Sequence, residues 1–67
     1  MSPRRRRLAS QLVAHWRRAL AVADEASEDA FRAKALDSAE LREAHRRIGA
    51  EREWVTRFER DASVLFP

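Results

Sequence analysis

The chain has 67 residues, a formal net charge of +3 and no cysteine, which leaves room for one small domain and excludes disulfides and thiolate zinc sites as its support. Its longest fully apolar run, residues 19–23, falls far short of the roughly 20 residues that cross a membrane. Association is the remaining way for so small a core to gain buried surface, so a homodimer is expected.

The first residues concentrate positive charge. Residues 1–23 hold six arginines, Arg4, Arg5, Arg6, Arg7, Arg17 and Arg18, and no acid, whereas residues 24–67 hold eight basic and eleven acidic side chains. Such a gradient points to an anionic partner for the beginning of the chain. A basic start followed by Ala21-Val22-Ala23 has the outline of a targeting segment, but Ser10, Gln11, His15, Arg17 and Arg18 interrupt its apolar part. The segment is read as structural, and the protein as cytoplasmic.

In chain order, residues 1–7 form a basic arm. Ser2 suits a helix N-cap and Pro3 the first helical position, while four arginines at the positive end of a helix dipole oppose it. The arm either frays or meets an anion. Membrane-surface binding by residues 4–23 is a weaker alternative, since Leu8, Leu12, Trp16 and Leu20 form an interfacial stripe that a folded core also needs.

A first helix is expected over 8–35. Leu12, Trp16, Ala19, Ala23, Ala26, Ala30 and Ala33 recur at alternating steps of four and three, the spacing of a seam that buries against another helix. Val13, Leu20 and Phe31 lie on its flank. Ser27 before Glu28 and Asp29 is an alternative N-cap that would split the helix, but the seam continues in phase and no Gly or Pro intervenes.

The turn is placed at 36–38. Asp37 and Glu40 form a variant capping box, with Leu36 and Leu41 as its hydrophobic staple. A second helix follows over 39–63, with the seam Leu41, Ala44, Ile48, Glu51, Val55, Phe58, Ala62 and Leu65, and residues 64–67 form an apolar tail. Gly49 inside this helix is either a tolerated surface glycine or a point of close backbone approach. Glu51 interrupts the seam, either snorkelling from the core edge or pairing with an arginine to set register and oligomer state.

Folding back near Leu36 brings Ala23, Ala26 and Ala30 opposite Leu41, Ala44 and Ile48, and Leu12 and Trp16 level with Val55, Phe58 and Ala62. It also sets the acidic stretch 24–29 near Arg42, Arg46 and Arg47. The expected fold is all-α: an antiparallel, coiled-coil-like two-helix hairpin that dimerises into a four-helix bundle.

Catalysis finds no support. The residues three before His15 and His45 are Leu12 and Arg42, so the Glu-x-x-His of bundle metal sites is missing, as are H-E-x-x-H and any glycine-rich phosphate loop. No enzyme, metal, cofactor or small-molecule substrate is expected. Arg42, Arg46, Arg57 and Arg60 make an outer face of the second helix suited to solvation or phosphate contact, weakened for the latter by Glu43 and Glu53. The leading expectation is an interaction module, an accessory subunit or regulator of a larger protein, working through Leu20, Phe31, Trp54, Phe58, Val64, Leu65 and Phe66. The alternative is a DNA- or RNA-binding regulator that grips phosphates through Arg4–Arg7, supported by Arg17 and Arg18.

Overall fold

The computed structural model describes residues 3–65, and side chains as far as 64. Two helices, α1 (Pro3–Arg32) and α2 (Ser38–Leu65), lie antiparallel as a hairpin of 49 × 16 × 8 Å. The seven residues expected as an arm are helical from Pro3 onward. Proline is pre-organised for that position; Ser2, its expected cap, lies outside the described residues, as do Phe66 and Pro67.

Ser27 does not break α1. Its hydroxyl donates to the Ala23 carbonyl at 2.8 Å, the i−4 bond by which serine stays inside a helix rather than capping a new one.

The helix ends at Arg32, three residues before the expected limit. Ala35 N–H reaches back to Ala30 O at 2.8 Å and Lys34 N–H to Phe31 O at 3.0 Å, with Lys34 at φ 62°. This is a Schellman cap, with lysine in the left-handed position that usually takes glycine. The capping box beyond it is as expected: Asp37 Oδ1 accepts from Glu40 N–H at 2.8 Å, and Glu40 Oε1 from Asp37 N–H at 3.0 Å. Leu36 and Leu41 beside it are both half-buried.

Val13, Leu20, Ile48 and Val55 form the core, with Trp16 and Phe58 against its edge. On α2 the expected seam holds: Leu41, Ala44, Ile48, Val55, Phe58 and Ala62 are buried or half-buried, and Glu51 is exposed. On α1 the seam is displaced. Leu12, Ala19, Ala23, Ala26 and Ala33 are exposed, and the inward stripe runs through Ala9, Val13, Trp16, Leu20 and Ser27. The reason is area. Both stripes have helical spacing, but Val13 and Leu20 remove far more apolar surface from water than alanines do.

Nothing lies within 4 Å of a Cβ built on Gly49, so no backbone approaches it. The chain's one glycine thus sits in open helix, while the left-handed turn position holds a lysine. Lys34→Gly is expected to stabilise the hairpin by roughly 0.5–1 kcal/mol by relieving that conformation, and Gly49→Ala by about 1 kcal/mol. Thermal melts check this, since each kcal/mol moves Tm by about 4–8 °C in so small a chain. A lowered Tm would contradict the turn geometry in the first case and the open surroundings in the second.

Candidate interaction surface

Successive helical residues rotate by about 100°, so a flat two-helix hairpin has two broad faces and two outer edges. The contacts between the helices show which residues share each face.

One broad face is polar and latched. Arg17 forks onto Glu59 at 3.0 and 3.3 Å, and Arg52 approaches Asp24 at 3.7 Å. His45 Nε2 lies 3.0 Å from Glu28 and 3.5 Å from Asp24. These groups are 40–53% exposed, so each pair contributes at most about 1 kcal/mol; together they favour one antiparallel alignment. The acidic stretch does not meet Arg42, Arg46 or Arg47 as expected, because Arg46 and Arg47 turn to Glu43 on their own helix, at 2.6–2.9 Å. His45 takes their place. Its level opposite residues 24–28 in a hairpin folded near Leu36 was the available signal.

Glu43 is held between two guanidinium groups, and the hydrogen bonds from Arg46 and then Arg47 pull its carboxyl down to about 2. The ordinary value for the unfolded chain is higher, near 4.5. The contribution of this fork to stability is therefore fully present above that ordinary value and is lost as pH falls through about 2. Carboxyl NMR titration is expected to place Glu43 well below the ordinary glutamate value, and Arg46→Ala with Arg47→Ala to return it to the ordinary range. A normal midpoint in the unaltered chain would show that the fork does not persist in solution.

The other broad face is apolar along α1, with exposed Glu51 on α2. Trp16 packs on Phe58, with ring centroids 6.3 Å apart and planes tilted by 58°, and its Nε1–H donates to Glu51 Oε1 at 3.1 Å. Around this pair Leu8 is 53% exposed, Leu12 51% and Trp54 63%. Ala19, Ala23 and Ala26 continue the exposed stripe towards the turn, ending at half-buried Ala30. Of the α1 residues expected to face α2, Leu12, Ala19, Ala23, Ala26 and Ala33 therefore form an uncovered shelf beside the core, while Trp16 and Ala30 are half-buried.

The residues expected to meet a protein partner separate accordingly. Leu20 is buried in the hairpin's own core and is not available to a partner. Phe58 is half-buried at the core edge, Phe31 lies beside the turn, and Trp54 and Val64 are exposed. Leu65 is described only in its backbone, and Phe66 lies outside the described residues. The sequence reading did not count Leu8 or Leu12 as partner contacts, and it missed exposed Val22 on the outer edge of α1.

The arginines of the first turns do not converge. By the helical step of about 100°, Arg4 and Arg7 fall on the outer edge of α1 with Arg18, and Arg5 falls towards the apolar side. Arg6 borders an open groove of about 510 Å³ with Ala9, Ser10, Val13, Glu59, Ala62 and Ser63. Arg17, expected to support phosphate binding, is engaged by Glu59. Among the described residues there is no grouping of side chains able to hold a metal ion, and no helix is long and apolar enough to cross a membrane.

No protein-family model, no curated protein and no solved structure matches this chain.

Proposed function

We propose that this chain is a small non-enzymatic interaction module of the cytoplasm, an accessory subunit or regulator that offers its apolar broad face to other protein surfaces. The observation that carries the reading is the asymmetry of the hairpin. Leu8, Leu12 and Trp54 stand exposed around the Trp16–Phe58 pair on one face, while the opposite face is crossed by the Arg17–Glu59 and Arg52–Asp24 ion pairs and the His45–Glu28 contact. Aromatic and aliphatic side chains clustered on a rigid helix face are the usual anchors of helix-mediated contacts.

A photo-crosslinking residue at Leu12 or Trp54, compared with one at exposed Thr56 on the latched side, tests this in the cells that make the protein. Adducts are expected from the first two positions and not from Thr56. Equal yields from both faces, or none, would overturn the reading. Adduct mass then sorts the partners: twice the chain's 7.8 kDa is a second copy, and more is a larger protein.

A second reading, binding of DNA or RNA, is favoured by the alignment of Arg4, Arg7 and Arg18 along one outer edge, over roughly 21 Å of helix. In that case alanine at these three positions removes most binding to mixed duplex DNA or RNA and flattens its salt dependence by about 0.7–0.9 per lost phosphate contact. Binding that ignores these changes removes the reading.

A further inference from the structure

We infer that the apolar face is covered by a second copy of this chain, laid face to face and antiparallel, so that the free ends of one hairpin rest over the turn of the other. The inference rests on the interaction-face reading and names its occupant and orientation. Three independent features of the face lead to it.

The first is size. The hairpin extends over 49 × 16 Å, so a second hairpin laid flat along it has the length and width to bury the roughly 800 Å² per partner of a standard protein interface.

The second is the gradation of side chains along α1. Leu8, Leu12 and Trp16 occupy the half near the free ends, and Ala19, Ala23, Ala26 and Ala30 the half near the turn. A two-fold axis crossing both helices near Ala19 and Trp54 sets α1 on α1. Leu8 of one copy then lies over Ala30 of the other, Leu12 over Ala26, and Trp16 near Ala23. Large side chains meet small ones where α1 lies on α1, which is the condition for close helix packing, and Trp54 meets its own copy at the axis.

The third is charge. The half of the hairpin that holds the free ends, residues 1–23 and 48–67, has nine basic and four acidic side chains, net +5, whereas the turn half, residues 24–47, has five basic and seven acidic, net −2. The antiparallel arrangement lays opposite signs together at both ends of the dimer. The other two-fold arrangement, with free ends together, sets +5 against +5.

Two measurements on the full chain test this. Sedimentation gives the dimer dissociation constant between about 0.01 and 0.1 M salt, over which the Debye length falls from roughly 30 to 10 Å. The dissociation constant is expected to rise several-fold across that range, because screening removes attraction between unlike ends; a dimer that tightens with salt overturns the orientation. Spin labels on single cysteines at Leu8, Ala19 and Ala30 then report distances between copies. The antiparallel dimer gives roughly 10 Å at Ala19 and roughly 33 Å at both Leu8 and Ala30, from eleven residues of helix on each side of the axis. Short distances at all three sites overturn it. Each labelled form is weighed first, and where Leu8→Cys dissociates the dimer, Gln11→Cys on the outer edge replaces it. A chain that stays monomeric at every concentration overturns self-association altogether, while face-specific crosslinks to a heavier protein would leave the interaction-module reading standing.

Discussion

Leu20→Ala is expected to destabilise the hairpin by about 2–5 kcal/mol, whereas Leu12→Ala changes the stability of the monomer by less than about 1 kcal/mol. The two leucines are eight residues apart on one helix, so their side chains differ in direction by about 80°. That rotation decides their roles. Leu20 is 5% exposed within the cluster of Val13, Ile48 and Val55, and Leu12 is 51% exposed. Truncating the first removes apolar contacts and leaves a cavity in a core with four buried side chains. Truncating the second removes surface that water already reaches. Stability in such a chain is on the order of 0.05–0.15 kcal/mol per residue, so Leu20→Ala removes a large share of it. Denaturant unfolding at concentrations below self-association checks the comparison, because a dimer would add its own mass-action term. Sedimentation of the same variants should show the converse, with Leu12→Ala weakening the dimer. A larger loss of monomer stability at Leu12 than at Leu20 would restore the seam read from the sequence.

Trp16→Ala has the second large effect, about 2–4 kcal/mol. That lies towards the lower end of the range for aromatic truncations because the indole is only half-buried. The side chain does two things at once. Its ring packs on Phe58, and its Nε1–H donates to Glu51 across the hairpin. Trp16→Phe keeps an aromatic ring and removes the donor, for which roughly 0.5–1.5 kcal/mol is expected. The difference between the two variants measures the packing. Glu51→Leu removes the acceptor and adds an apolar side chain beside Trp54, and is expected to broaden the melting transition and change the distribution of masses. A sharp, unchanged melt with unchanged mass would remove Glu51 from any register-setting role.

The hairpin was legible because the capping box, the break near Leu36 and the seam of the second helix reinforce one another. Leu41, Ile48, Val55, Phe58 and Leu65 are the large residues of that seam, and no competing apolar stripe exists on their helix. The first helix carries two. The stripe through Leu12 and the alanines is unbroken, whereas the stripe that faces inward passes Asp24 and Ser27, and regularity favoured the wrong one. Side-chain volume was the better guide. Asp24 is tolerated near the seam because it reaches sideways to His45 and Arg52, an arrangement that spacing within one helix does not reveal. The early end of α1 was hidden for a similar reason. Lys34 adopts a left-handed conformation in which glycine is the usual marker. The exposed shelf was in view as a set of residues throughout, but assigned to the hairpin's interior.

The uneven charge along the 49 Å length also bears on kinetics. In the pairing proposed above, a rod positive at one end and negative at the other would turn in the field of an approaching copy before the surfaces touch, so the orientation of an encounter would be selected during diffusion rather than by trial contacts. Salt then acts chiefly on how fast two copies meet, while the lifetime of the pair follows the apolar area between them. Under that proposal the arginines of the first turns, which oppose their own helix dipole, would set the approach.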